Sequence, residues 1–344
     1  MDQEPILSVQ HLNVKFSLRG KVLHAIRDVS LDLYKGETLA IVGESGSGKS
    51  VLTKTFMGLL DMNGWIDSGS ILYNGHDLAQ YKTEKEWLTI RGKEIAMVLQ
   101  DPMTSLNPLK TIGAQIEEAL KLHQQLEGIA AHKAVIELLN DVGITEPERR
   151  SMQYPHEFSG GMRQRVVIAI AMACKPKILI CDEPTTALDV TIQAQILHLI
   201  RNLVRKYDLT TVYITHDLGV VANVADRVAV MYAGDIVEIG TSREVFYDAR
   251  HPYTWALLSS LPQLGVKGEK LFSIQGTPPN LYHEIKGDAF APRNPHALKI
   301  DFEKRPPLFQ VSATHFARTW LLHPDAPKVE PPPVLNRLRQ EVSL

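Results

Sequence analysis

Cysteine is nearly missing from this chain: two thiols, Cys174 and Cys181, in 344 residues. Two cysteines cannot staple a chain of this size, which excludes a disulfide-built secreted scaffold and points to a reducing compartment. Both read as small buried hydrophobes, one in a helix and one in a strand. An excess of charge of one sign is missing too. The 37 Lys+Arg against 39 Asp+Glu leave a formal net charge of −2, without the basic surplus of a nucleic-acid binder. Long apolar runs are absent: the longest clean one, Val166 to Cys174, is 9 residues between Arg165 and Lys175. That is about half of what a membrane span needs. The start, Met1-Asp2-Gln3-Glu4-Pro5, is acidic with no apolar run behind it, so no signal peptide is expected. What remains, 44% apolar and 22% charged residues, is the composition of a globular protein with a sizeable core. The length predicts roughly two domains, at about 100–200 residues each.

Along the chain, Ile6 to Phe16, Ser30 to Tyr34 and Thr38 to Val42 read as strands, with a turn at Lys35-Gly36. A glycine-rich loop at 43–48 and a helical pattern from Ser50 to Leu60 follow. Strand, glycine loop and helix open an α/β nucleotide fold. Residues 112–142 carry apolar side chains at three- and four-residue steps and predict helix. Ile178 to Cys181 and Val212 to Thr215 are unalternating apolar strands, which fit a parallel sheet covered on both faces. Val228 to Tyr232 and Asp235 to Gly240 predict an antiparallel hairpin turned at Ala233-Gly234. Composition shifts near 262, and 11 of the 20 prolines lie between 278 and 344. Proline blocks helix interiors and central strands, so a small irregular C-terminal domain with an extended tail from about 324 is expected.

Gly43-Glu44-Ser45-Gly46-Ser47-Gly48-Lys49-Ser50 matches G-x-x-x-x-G-K-[ST]. Its glycines let backbone N–H groups turn toward a phosphate, and the helix that runs on through Val51 points its positive end at the same anion. Lys49 is placed to reach the β- and γ-phosphates and Ser50 to bind Mg²⁺. The apolar strand Ile178 to Cys181 ends in Asp182-Glu183. Open α/β sheets bind ligands at the carboxyl ends of their strands. Asp182 is therefore expected to hold Mg²⁺ and Glu183 to orient the attacking water as a base. Read alone, both acids are ordinary solvated strand-end residues; beside a phosphate loop they are candidates.

Ser159-Gly160-Gly161-Met162-Arg163-Gln164-Arg165 resembles the signature motif of ATP-binding-cassette (ABC) ATPases, with Phe158 and Met162 where the commonest form has Leu and Gln. A helix N-cap at Ser159 is a complete reading as well, since capping and anion binding use the same donors. Gln100, after the strand Ile95–Leu99, is similar to the family's Q-loop glutamine. Thr186-Ala187-Leu188-Asp189 is similar to its D-loop, and His216 to its switch histidine. The resemblance implies an α/β P-loop cassette with a RecA-like, mostly parallel sheet, an antiparallel β subdomain and a helical subdomain at about 101–165. The cassette is expected over 1–240 and the C-terminal accessory domain over 241–344. It also implies head-to-tail dimers sandwiching ATP between Gly43, Ser45, Gly46, Ser47, Gly48, Lys49, Ser50 and Val51 of one subunit and Ser159, Gly160, Gly161, Met162 and Gln164 of the other. In that frame Gln100 senses Mg²⁺ and the water, His216 holds the γ-phosphate and Asp189 couples the two sites. Phe16 is the candidate for stacking on the adenine, with a plain core position as its other reading.

Gln100 to Pro108, Tyr154 to Phe158 and His251-Pro252-Tyr253-Thr254 narrow the resemblance to the ATP-binding subunits of bacterial oligopeptide and dipeptide importers, over residues 5 to 322. This implies ATP and Mg²⁺ as ligands, a second homologous ATPase in a heterodimer, two membrane permease subunits, an extracellular peptide-binding lipoprotein and a place on the cytoplasmic face of the membrane. It implies no nucleic-acid partner. Nickel or other small-solute importers share much of the pattern; a non-transport ABC ATPase is the more distant alternative. The family's C-terminal region often carries four cysteines for an iron–sulfur cluster. Here Asp288, Asn294, Asp301 and Thr319 stand at those positions, so no cluster is expected.

Overall fold

The computed structural model describes residues 4–186, 188–261 and 274–335. Ala187 of the D-loop-like stretch, the composition shift at 262 and the tail beyond 335 lie outside the described residues. The strands are β1 (Leu7–Leu18), β2 (Lys21–Leu33), β3 (Thr38–Val42), β4 (Gly64–Tyr73), β5 (His76–Asp77), β6 (Ile95–Val98), β7 (Ile178–Asp182), β8 (Thr210–Thr215), β9 (Arg227–Tyr232), β10 (Asp235–Thr241), β11 (Phe309–Gln310) and β12 (Phe316–Ala317). The helices are α1 (Lys49–Thr55), α2 (Glu84–Trp87), α3 (Pro102–Ser105), α4 (Ile112–Gln124), α5 (Gly128–Asp141), α6 (Pro147–Ser151), α7 (Gly160–Met172), α8 (Val190–Tyr207), α9 (Leu218–Val224), α10 (Ser242–Tyr247) and α11 (Pro252–Ser259). Among the described residues no helix is long and apolar enough to cross a membrane. The chain divides into two units, one of Met1–Leu33, Thr38–Gln80 and Thr215–Leu344, the other of Tyr34–Glu37 and Tyr81–Ile214.

In the first unit β2, β1, β4 and β5 form an antiparallel sheet. Leu7, Val9, Leu12, Val14 and Phe16 of β1 are buried. The strict alternation slips between Val9 and Leu12, where the pairing register also shifts. His11 sits there at φ 49, the backbone signature of a bulge. The unit's second sheet runs β11-β12-β10-β9-β3, with β3 and β9 parallel and β9 and β10 an antiparallel hairpin. The hairpin turns where the sequence predicts it: Ala233 and Gly234 both have positive φ, 48° and 81°, the twist a two-residue turn needs. The core over this sheet holds Val42, Val228, Val230, Tyr232, Phe246, Tyr253, Trp255 and Phe290.

The expected domain boundary at 240 falls inside β10. The C-terminal segment adds β12 to that strand, pairing Glu238 with Ala317 and Ile239 with Phe316. It also returns Arg305, whose Nη1 donates to Asp28 Oδ2 at 2.6 Å while its Nε and Nη2 donate to the two oxygens of Asp235 at 2.9 Å. Past α10 and α11, the described part of this segment is, apart from the two-residue strands β11 and β12, turns and short 3-10 pieces at Ala291–Arg293, Lys299–Phe302 and Trp320–Leu322, in keeping with its prolines.

One acid in this segment sets a pH dependence. Asp288 is buried beside Asp301 and Asp235, and burial pushes its carboxyl up to about 7 from an ordinary 3.8. The folded state therefore holds this proton where the unfolded chain has lost it. The stability Asp288 contributes is full below the ordinary value and is lost as pH rises through about 7. Asp288→Asn keeps the oxygen that accepts from Phe290 N–H at 2.9 Å. The variant should melt higher than the parent at about pH 8 and close that gap toward about pH 4. A gap independent of pH would show that Asp288 is not buried as an acid.

The second unit is built on parallel β6, β7 and β8. Every residue of β7, Ile178 to Asp182, is buried, as an unalternating run predicts. The helical pattern at 112–142 resolves into α4 and α5, broken where Gln125 adopts φ 56 and closes the first helix. Helix α8 buries Ile196, Leu199, Ile200 and Leu203 at three- and four-residue steps. The helical segment expected at about 101–165 corresponds to α3–α6 and the start of α7.

Candidate nucleotide site

In the first unit β3 delivers the chain into the glycine loop and α1 leaves it. Gly48 caps α1 in a left-handed conformation, φ 103, with no side chain to obstruct the approach of an anion. Lys49 is 5% exposed, and its Nζ donates to Gly43 O at 2.8 Å and Glu44 O at 3.0 Å, so the ammonium lies curled inside its own loop. Ser47 is buried and its hydroxyl has no hydrogen-bond partner in the structure. A buried donor left over in such a loop is what an incoming phosphate oxygen satisfies. Ser45 and Gly46 are exposed at the rim; Ser50 and Val51 are half-buried on the first turn of α1.

His216, just past β8, is exposed in this unit, and Asp217 behind it caps α9 by accepting from Gly219 N–H at 2.9 Å. Phe16 is 8% exposed, and its ring lies where a side chain on Gly64 would have to go, within 2.5 Å of that position. That packing is a core position and leaves Phe16 little surface to offer an adenine.

In the second unit β7 ends in the two carboxylates. Asp182 is buried at 6% exposure. Glu183 follows at φ 46, a left-handed backbone that costs a non-glycine residue of order 1–3 kcal/mol and is concentrated at working sites. Its Oε2 accepts from Thr186 Oγ1 at 2.8 Å and from Gln100 Nε2 at 3.4 Å. Gln100 and Glu183, 83 positions apart, thus meet as two members of one cluster. Thr186 is a member that spacing alone did not single out.

Ser159 caps α7, its Oγ accepting from Met162 N–H at 3.4 Å, and Asp189 caps α8, accepting from Ile192 N–H at 3.0 Å. Of the two glycines that open α7, Gly161 has a packing cause, and Gly160 has room for a side chain. A β-carbon on Gly161 would lie 2.7 Å from Ile192 Cγ2, and one on Gly160 3.7 Å from Leu188 Cδ2. Gly161 therefore lets the start of α7 lie close against the start of α8, with Ser159 and Gly160 exposed. Gln164 is 1% exposed, inside the unit, which leaves it almost no surface to offer a nucleotide held by another subunit.

Among the described residues no three His, Cys, Asp or Glu side chains are placed to share a metal ion. Ser50 in the first unit offers a hydroxyl oxygen, and Asp182 and Gln100 in the second a carboxylate and an amide oxygen; each is a hard donor of the kind Mg²⁺ takes. The donors for an iron–sulfur cluster do not fit. Asp288, Asn294, Asp301 and Thr319 are buried but offer no thiolate. The two thiols lie in the other unit, with burial pushing Cys174 up to about 11 and Cys181 up to about 12.

A phosphate loop, a capped glycine helix and a strand ending in paired acids, in this order along the chain, define an ATP-binding-cassette ATPase. Residues 26–186 match the ABC transporter family, and residues 237–300 match the oligopeptide/dipeptide transporter C-terminal region. The chain is 59% identical to the oligopeptide transport ATP-binding protein AmiE of Streptococcus pneumoniae, covering 99% of this chain and 96% of that one. It is 60% identical to the oligopeptide transport ATP-binding protein OppD of Bacillus subtilis, covering 95% and 92%. The dimeric ATP-binding cassette MJ0796 bound to ADP and Pi superposes with a TM-score of 0.61 at 26% identity, covering 69% of this chain and 99% of the cassette. The chain belongs to the ABC transporter family, in its branch of oligopeptide and dipeptide transport ATP-binding subunits.

Proposed function

We propose that this subunit hydrolyses ATP to drive import of oligopeptides across the cytoplasmic membrane. The observation that carries the reading is the presence in one chain of a complete set of cassette motifs and the C-terminal region of oligopeptide/dipeptide transporters. In this reading Lys49 and the loop N–H groups of 43–50 hold the β- and γ-phosphates. Ser50, Asp182 and Gln100 provide oxygens for Mg²⁺, which when bound neutralises charge on the phosphates. Glu183 orients the attacking water and accepts its proton. The water oxygen bonds to the γ-phosphorus as the bond to the β,γ-bridging oxygen breaks, giving ADP and phosphate. The contact with Thr186 and the left-handed backbone at Glu183 support a carboxylate held in one orientation for this task. His216 holds the γ-phosphate. Ser159, Gly160, Gly161 and Met162 offer a helix N-terminus to ATP on a second subunit, with Asp189 linking the two sites.

The working assembly in this proposal is a heterodimer with a second homologous ATPase, docked through the helical segment at 101–165 onto two permease subunits at the cytoplasmic face of the membrane. An extracellular lipoprotein delivers the peptide. Deleting the chain from its host should abolish uptake of a labelled oligopeptide, and returning it should restore uptake. Peptide uptake unchanged by the deletion, with nickel uptake lost instead, would move the chain to the small-solute importers.

A further inference from the structure

Glu44, the second residue of the phosphate loop, is held by the C-terminal segment through both its side chain and its main chain. Arg293 Nη1 donates to Glu44 Oε2 at 2.6 Å and Nη2 to Glu44 Oε1 at 3.0 Å, a two-pronged fork that fixes orientation as well as distance. The guanidinium is itself locked. Its side chain is 4% exposed, its Nε donates to Gln275 O at 2.8 Å and its Nη1 to Tyr232 Oη at 3.1 Å, and it stacks over the rings of Tyr232 and Phe290. The main-chain N–H of Glu44 donates to the buried Tyr253 hydroxyl at 2.8 Å. The carbonyl of the same residue accepts from Lys49 Nζ at 3.0 Å and from Ser47 N–H at 3.2 Å. Pro278, Pro279 and Leu281 line one small cavity with Glu44, Ser45, Gly46 and Ser47.

We infer that Arg293 is a positioning residue for the phosphate loop, holding Glu44 so that the loop and Lys49 are set to receive the phosphates of ATP; the inference rests on the ATPase reading above. A fold-stabilising pair has no need to grip the loop that binds the nucleotide. A glycine-rich loop loses much backbone freedom when it closes on a ligand. A fork that restrains it beforehand lowers the cost of binding, and so acts on affinity. Because the guanidinium is buried and its N–H groups are engaged by Glu44, Gln275 and Tyr232, its effect passes through Glu44, and cutting either end of the link has the same consequence. The C-terminal segment thereby becomes part of the nucleotide site's support, although it contributes no group to the chemistry.

The test uses the purified full-length chain, with MgATP affinity measured by competition against a fluorescent ATP analogue and melting temperature measured in parallel. Arg293→Gln and Glu44→Gln should each weaken MgATP binding about tenfold, and the double variant no more than either single one, because both cut one link. Arg293→Lys, which keeps the charge without the fork, should recover part of the affinity. A merely structural role would lower the melting temperature and leave the affinity of the folded protein unmoved. Should Arg293→Gln fail to fold, Glu44→Gln decides alone, since Glu44 lies on the loop and not in the core. MgATP binding at the parent's affinity in Arg293→Gln or Glu44→Gln, or single effects that add in the double variant, would overturn the inference while leaving the ATPase reading standing. A parent chain that does not bind MgATP would overturn both.

Discussion

Replacing Lys49 with alanine should weaken ATP binding by at least about 100-fold, since a hydrogen bond to a charged group contributes about 1.5–3 kcal/mol and the ammonium serves more than one phosphate oxygen. The curled position of Lys49 in the structure sharpens the expectation. Its Nζ spans Gly43 O and Glu44 O, so the side chain also braces the loop before a nucleotide arrives. Alanine removes the phosphate partner and the brace together. The fold should survive, because α1 has high propensity for alanine and Leu52, Thr53 and Thr55 keep its buried face. The measurement is the rise in melting temperature on adding MgATP. The parent should gain stability in proportion to the logarithm of ligand over dissociation constant, and the variant should gain none at the same concentration. A variant that gains as much as the parent would show that 43–50 is a turn of ordinary purpose.

What could be read from the sequence was what lies close together along it. The phosphate loop is contiguous, so its spacing already dictated a strand before and a helix after, and β3 runs over Thr38–Val42 as expected. The hairpin turn at Ala233-Gly234 was legible because two residues with positive φ suffice to set it. The split of 112–142 into two helices was not, because apolar periodicity continues past Gln125 while the backbone does not. Helix α8 carried a clear apolar period over Ile196 to Leu203 that was there to be read. Side-chain depth was harder. Gln164 and Phe16 occupy motif positions but are interior, and burial depends on what packs over a residue from elsewhere in the chain. The link between Arg293 and Glu44 was out of reach, because 249 positions separate them and neither residue type is unusual where it stands.

Glu183→Gln is expected to separate binding from chemistry. Glutamine preserves the size of the side chain and one acceptor oxygen, so Thr186 Oγ1 retains a partner and the strained backbone at φ 46 is undisturbed. What is lost is the capacity to take a proton from water. General-base assistance contributes about 10²–10⁴ in rate, so steady-state phosphate release by the assembled transporter should fall by at least about 100-fold while the affinity for ATP stays within about threefold. The pairing of a preserved dissociation constant with lost turnover distinguishes this from the Lys49 variant, where affinity itself goes. It also predicts a physical consequence. If ATP draws two helix N-termini together across a subunit interface, as Ser159 at the head of α7 is placed to do, then a variant that binds but does not hydrolyse should accumulate as the ATP-bound dimer with its ATPase partner. Size-exclusion chromatography with ATP would show that species for Glu183→Gln and not for Lys49→Ala. Turnover within threefold of the parent would place the base elsewhere, and a dimer that ATP does not stabilise would remove the shared-nucleotide mechanism while leaving Glu183 as the base.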